Sequence, residues 1–374
     1  MLSYWEKKNL IQYDLIIVGS GFAGLSTAIH YKEKYPGRSV LVLERGVFPS
    51  GASTRNAGFA CFGSLSEIAE DLEHFQEDEV FELVTKRRMG IKNIRSVFGD
   101  EGLDYTSCGG FDLIREQEAH YMEKIDTINA LLSPVFGTDV FEEVADRSAY
   151  GFSDSVLHLV KNKFEGQLDP AKYIQCLWKR CRELNIQILT GAEVKKLDEE
   201  NCRAYVHSFY DEEIAFQSRL MALCSNAFTD HLLEGEDVDI RPGRGMIMVS
   251  EPIKDMALKG TFHMERGYVY FRNVDGRLLV GGGRNISEKD EITTERGINE
   301  DIKSYLQEVT KKVIFPKREI CWNMEWSGTM AFGDSKKPII RRITPRVAAG
   351  VRLGGMGVAL GWETGKELAS LLGD

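Results

Sequence analysis

No stretch of this sequence approaches about 18 consecutive apolar residues, so no transmembrane helix is expected. Nor is there a basic field: 47 lysines and arginines face 57 aspartates and glutamates, a net charge of −10. A chain of that sign is poorly suited to displacing counterions from nucleic acid, and no nucleic-acid partner is expected. The seven cysteines are scattered without CxxC spacing. That argues against a disulfide framework or a zinc site, and no metal is expected. The first residues, MLSYWEKKNLIQ, show no long apolar core and no small-residue cleavage site, so no secretory signal is read there. A cytoplasmic protein with reduced thiols is the simplest expectation. Low-complexity tracts, fixed-period repeats and an obvious Ser-His-Asp arrangement are missing as well.

What remains is a soluble-type composition, 43% apolar over 374 residues, a length that suggests two domains. The first strong element is Tyr13–Val18, YDLIIV, a short apolar run that reads as a buried strand. Gly19, Ser20, Gly21, Phe22, Ala23 and Gly24 follow, then a helix over 25–34 and a second strand over 39–43 that stops at Glu44 and Arg45. Strand, glycine turn, helix and strand within about thirty residues make a βαβ unit. In that context GxGxxG has a mechanical reading. Gly19 permits the turn, Gly21 admits a pyrophosphate, and Gly24 lets the helix approach the sheet. The helix N-terminus then holds the phosphates with free N–H groups. Glu44, about 20 residues beyond Gly24, accepts ribose hydroxyls and repels a 2′-phosphate, which favours FAD or NAD over NADP.

The next segment, Gly51 to Gly58, is small and polar. Ala52, Ser53, Arg55, Asn56, Ala57 and Gly58 form a loop able to pass a flavin ring and contact its pyrophosphate; an ordinary surface loop is the alternative. Helices are expected over 67–97, 116–132, 169–185 and 299–313, the third opened by Asp169 as N-cap and Pro170 in the first turn. From Arg241 to Val280 the pattern turns to strands, with a turn at 273–276, which suggests an antiparallel substrate sheet. The fold class is therefore α/β: a discontinuous Rossmann-type FAD-binding domain (1–75, 150–235 and 325–374) and an antiparallel-sheet substrate domain (76–149 and 236–324).

The segments IIVGSGFAGLSTA, LVLERG, GASTRNAG, LDPAKYIQCL, GAEVKKL, CSNAFTDHLL, PGRGMIMV, GRLLVGGGR and GVRLGGMGVALGWETGKELA carry a resemblance over most of the chain. The sequence resembles the D-amino-acid-oxidase-like family of FAD-dependent oxidoreductases, which includes glycine and sarcosine oxidases. Its GAS-x-RN-x-G form is most similar to the branch with gamma-glutamylputrescine oxidase. The resemblance implies FAD as cofactor and oxidation of a small amine or amino acid, with imine hydrolysis to follow. It also implies that Val194 meets the adenine and that Ser225 and Asn226 lie near the nucleotide. Gly354, Gly355, Met356, Gly357 and Val358 would face the pyrimidine end of the flavin. Members with covalent flavin use a cysteine near where Ser327 stands, or a histidine where Arg55-Asn56 stands, so the flavin here is expected to be non-covalent. Leu279 stands where oxygen-using relatives place a lysine, which leaves the electron acceptor open between oxygen and a quinone-like compound. The arginine that relatives carry near 326–331 is missing.

Four residues are candidates for the substrate site. The resemblance puts Arg352 where glycine oxidase binds a carboxylate; a structural salt bridge is the alternative. Tyr268, Tyr270 and Arg272 alternate, so period 2 gives them one face, turned to the flavin or to solvent. Arg284 is a weaker candidate and Arg244 reads as a turn residue; His263 and Cys108 are set aside as bystanders. Two other functions stay open: an FAD-binding protein without turnover, and an NAD-linked dehydrogenase, against which the missing second GxGxxG argues.

Overall fold

The computed structural model describes residues 2–207, 213–233 and 238–373. Two eight-stranded sheets organise it. In the first, Gln12–Val18 lies between Glu213–Leu223 and Val40–Leu43, parallel to both. Gln187–Leu189 and Val347–Val351 extend it in parallel on the two sides. Leu15, Ile16, Ile17, Leu41 and Val42 are fully buried, as expected for strands covered on both faces. The expected helix starts three residues early, at Phe22, and runs to Lys34.

Helices close on this sheet through glycine contacts. A Cβ on Gly361 would meet Phe22 Cβ at 2.6 Å, and one on Gly365 would meet Ser26 Cβ at 2.4 Å. The C-terminal helix Gly357–Gly373 therefore packs directly on Phe22–Lys34. The charged helix expected over 67–97 is two helices, Leu65–His74 and Glu77–Phe98, broken at Phe75-Gln76. Asp169 caps Pro170–Glu183 as expected, accepting from the N–H groups of Ala171 and Lys172 at 2.7 and 3.1 Å.

The second sheet runs Trp322–Phe332, Arg241–Ser250, Arg277–Gly282, Val269–Val274, Thr261–Met264, Gly110–Ile114, His158–Asn162, Phe141–Glu143. It is antiparallel except where Thr261–Met264 pairs in parallel with Gly110–Ile114. The expected turn at 273–276 is a two-residue hairpin loop, with Asp275 and Gly276 both left-handed (φ 49° and 75°), the pattern that matches strand twist.

Two strands and one helix pack apart from the expected domain segments. His158–Asn162 pairs with Gly110–Ile114 in the second sheet. Trp322–Phe332 lies entirely in that sheet because it pairs with Arg241–Ser250 along its length. The helix Glu77–Phe98 sends Ile91 and Ile94 into the core beneath the first sheet. The expected boundary at 235/236 falls outside the described residues. No helix among the described residues is long and apolar enough to cross a membrane.

Candidate active site

A cavity of about 810 Å3 runs between the sheets. That is within the range of about 300–1,000 Å3 for ligand pockets. One end is the glycine turn. Gly19 has φ +104°, and a Cβ there would sit 2.7 Å from the Cys224 carbonyl oxygen, so only glycine makes this turn. Gly24 does not line the cavity; its hydrogen faces the Gly19 carbonyl, which a Cβ would approach to 1.9 Å. Gly19, Ser20, Gly21, Phe22 and Ala23 all line the cavity. Gly21 caps the helix without a side-chain hydrogen bond. The helix end therefore presents its dipole to the cavity.

Glu44 closes the same end. It is buried, and its Oε2 accepts from the Ser20 N–H at 3.1 Å and the Ser20 hydroxyl at 2.7 Å. Oε1 accepts from the Gly46 N–H at 2.9 Å. The carboxylate thus orients the turn as well as facing the cavity. Arg45 stacks on Phe228 at 3.7 Å, and burial lowers its pKa from the ordinary arginine value. Val194, Ser225 and Asn226 line the cavity beside them.

The loop after the second strand forms the short helix Ala52–Arg55. Ala52, Ser53, Arg55, Asn56 and Ala57 line the cavity; Gly58 does not. Ser53 Oγ accepts from the Phe22 N–H at 3.0 Å, tying the loop to the glycine turn. Asn56 donates to the carbonyls of Ala52 and Ser53 and accepts from the Gly58 N–H, so its amide orders the loop. Arg55 donates to the Ser327 carbonyl at 2.8 Å. Opposite, Gly354, Gly355, Met356, Gly357 and Val358 line the cavity, with Gly354 and Gly355 left-handed (φ 54° and 78°).

The second sheet supplies the other wall. Residues paired across neighbouring strands share a face. One such row is Asp112, His263, Tyr270, Gly281, Ile247 and Trp326. His263, Tyr270 and Ile247 in it line the cavity. A Cβ on Gly281 would meet the Tyr270 ring at 2.6 Å, so that glycine leaves room for the ring to lie across. Burial pushes the Tyr270 phenol up to about 12. Tyr268 lines the cavity near Arg284, which stacks on Phe332 at 4.2 Å and pairs with Glu288 at 3.1 Å.

Two candidates need correction. Arg272 shares the face of Tyr270 one row on, beside Leu279, but does not reach the cavity. It donates to the Leu168 carbonyl at 3.3 Å, and Gly58 passes directly over its guanidinium. Arg352 is turned away altogether. Its residue is left-handed (φ 62°), and its guanidinium is engaged by the Asp239 carboxylate and by the carbonyls of Asp239 and Lys337. Of the two readings of Arg352, the structural salt bridge is the one realised.

Charged residues that the sequence reading missed line the far end. Arg87, 2% exposed, donates to Glu67 Oε1 at 3.2 Å. Lys336 reaches Asp71 Oδ1 at 2.5 Å and Glu67 Oε1 at 3.9 Å. Burial opposes charge on Glu67, but Lys336 and Arg87 outweigh it and hold its carboxyl below the ordinary range. Arg266 pairs with Glu70 at 2.9 Å. His263, set aside as a bystander, is 4% exposed, with Nε2 3.5 Å from Glu165 Oε2. A four-residue loop, 265–268, joins the strands that pair His263 with Tyr270, a neighbourhood that only the fold reveals.

The cavity fits a dinucleotide. It joins a helix N-terminus whose N-cap, Gly21, lines the cavity and brings no side chain to it, and a buried carboxylate at the end of the second strand. The family DAO, "FAD dependent oxidoreductase", matches residues 14–371. The probable oxidoreductase OrdL of Haemophilus influenzae is 26% identical over an alignment of 383 positions, which covers 96% of this chain and 83% of that protein. Glycine oxidase of Geobacillus kaustophilus has a similar fold, with a TM-score of 0.75 at 17% identity over 97% of this chain and 95% of its own. L-proline dehydrogenase of P. horikoshii gives 0.75 at 16% identity over 96% and 93%. The match along nearly the whole chain, on the geometry described, shows that this protein belongs to the DAO family of FAD-dependent oxidoreductases.

Proposed function

We propose that the protein oxidises the C–N bond of a small amine or amino acid. The observation that carries this reading is one cavity that continues from the nucleotide-binding turn into a chamber walled by Tyr268, Tyr270, Arg284 and His263. FAD supplies the acceptor for a hydride from the carbon beside the amine, and water hydrolyses the resulting imine. Glycine oxidase and L-proline dehydrogenase, which share the fold, act on amino compounds by their names.

The chain's own residues bind and orient. Gly19, Ser20, Gly21, Phe22, Ala23, Glu44 and Arg45, with Val194, Ser225 and Asn226, hold the nucleotide. Ala52, Ser53, Arg55, Asn56 and Ala57, with 354–358, would hold the flavin end of the cofactor. Backbone N–H groups at the start of Gly357–Gly373 lend a helix dipole to negative charge there. Arg284 takes over the role read for Arg352 and Arg272: an arginine on the cavity wall able to hold a substrate carboxylate. Phe59, Ile247 and Tyr270 keep water from the reacting carbon. We read the two sheets as a nucleotide domain and a substrate domain. Leu279, 4% exposed, packs in one cluster with Ala57 and Ile247, and the cation beside it, Arg272, is held at the Leu168 carbonyl outside the cavity, so that row brings no cation to the flavin to assist oxygen. An acceptor other than oxygen follows.

The test is reduction of the bound flavin, without air, by panels of amines and of both amino-acid enantiomers. Bleaching by a member of either panel supports the reading. Bleaching by neither, in a protein loaded with FAD, refutes it.

A further inference from the structure

At neutral pH an alkylamine is an ammonium ion, with a pKa of about 10. Its nitrogen has no free pair to assist hydride departure from the neighbouring carbon. A proton must therefore leave within the cavity. We propose that His263, backed by Glu165, is the group that accepts this proton. The inference rests on the amine-oxidising reading above.

Five other cavity-lining groups are poorly suited. Burial holds the Tyr270 phenol and the Cys61 thiol in their protonated forms. Glu67 and Glu70 are held by Arg87, Lys336 and Arg266. His231 lies on the turn Asp230–Leu232, against the strand Val194–Asp198 at the nucleotide end. His263 differs from all of these. Its Nε2 makes no hydrogen bond but lies 3.5 Å from Oε2 of Glu165, which is 1% exposed and anchored by the Phe62 N–H at 3.1 Å. A proton on Nε2 would face that carboxylate and leave the lone pair on Nδ1. That tautomer is the one a proton acceptor needs.

The surroundings set its basicity. Asp112 and Tyr270 flank His263 on the neighbouring strands, and Phe59 covers its ring at 5.2 Å. The reactive atoms of Cys61, Glu165 and His263 lie within 4.8 Å of one another, and Glu67 stands beyond them, paired with Arg87. Burial disfavours the imidazolium, but Glu165, Asp112 and Glu67 outweigh it and raise His263 above its ordinary value of 6.5. In the step, the substrate N–H bond breaks and its electron pair stays on nitrogen. The proton joins His263 Nδ1, and the imidazolium is balanced by Glu165. A neutral amine remains beside the flavin.

The experiment measures flavin reduction without air in the FAD-loaded protein across pH, with glycine, proline, iminodiacetate and butylamine as probes. If neither these nor any member of the amine and amino-acid panels bleaches the wild type, the amine-oxidising reading fails and this proposal fails with it. With a reactive probe, the wild-type rate should fall as pH drops through the raised His263 pKa, because the protonated ring accepts nothing. His263→Asn should slow reduction by about 10²–10⁴-fold at neutral pH. The defect should shrink as pH nears the substrate's own pKa, where the amine arrives neutral. Glu165→Gln should move the acid limb to lower pH, a shift that a packing role would not produce. A His263→Asn rate equal to wild type, or a defect constant with pH, would overturn the proposal. So would a Glu165→Gln limb that stays in place.

Discussion

Gly21 and Gly24 lie three residues apart in one turn of helix, yet alanine should act at each through a different link. At Gly24 a Cβ would sit 1.9 Å from the Gly19 carbonyl oxygen, a backbone atom that no rotamer change can move. Alanine inside a helix gains about 1 kcal/mol over glycine from propensity. Overpacking costs about 1–3 kcal/mol. With backbone as the obstacle, the upper end applies and the clash wins by about 2 kcal/mol. At Gly21 the Cβ would meet only the Ser53 side chain, its Oγ at 2.8 Å, and that hydroxyl can turn away at the loss of its bond from the Phe22 N–H, about 0.5–1.5 kcal/mol. The fold should tolerate Gly21→Ala, while the methyl occupies space facing the pyrophosphate. Denaturant unfolding of both apoproteins and FAD titration of both variants separate the effects. Gly24→Ala should lose more stability than Gly21→Ala, and Gly21→Ala should bind FAD less tightly. Full FAD affinity in Gly21→Ala, or in Gly21→Val, would mean that the nucleotide does not cross this turn.

Glu44→Gln should weaken FAD binding by about 1.5–3 kcal/mol, roughly 10–150-fold in Kd, since it removes a charged acceptor and turns an amide donor toward Ser20 or Gly46; an unchanged Kd by flavin fluorescence would contradict the ribose contact. Arg352→Lys should lower the melting temperature and leave substrate affinity unchanged, because its guanidinium holds Asp239 and the Lys337 carbonyl outside the cavity; the reverse pattern would restore it to the substrate site. Reduced protein should reoxidise slowly in air and faster with a quinone, as Leu279 brings no charge to the flavin; rapid stoichiometric peroxide release would contradict this.

The nucleotide end was legible because its chemistry is local. Gly19, Gly21 and Gly24 sit within six residues, so their spacing marks the turn, although only Gly24 meets an atom inside the βαβ unit, the Gly19 carbonyl; Gly19 faces Cys224 and Gly21 faces Ser53. The substrate end was not, because it is built by register. Asp112 and His263 become neighbours only when a parallel pairing joins strands far apart in sequence. Glu165 lies between His158–Asn162 and Gly166–Gln167, where no periodicity marks it. Period 2 correctly gave Tyr270 and Arg272 one face, but could not tell that the chain at Gly58 and Leu168 covers one row and leaves the next open. Arg352 misled because its left-handed backbone turns the side chain away from the loop it precedes, and an arginine in that conformation has no sequence signature.

The central claim is tested most directly by the visible spectrum of FAD-loaded protein mixed, without air, with the amine and amino-acid panels. The account predicts that at least one amino compound bleaches the flavin, with the imine-derived carbonyl product and ammonia or amine released in equal amounts. A flavin that stays oxidised with every amine and amino acid, but is bleached by a hydroxy acid or polyol, would contradict it.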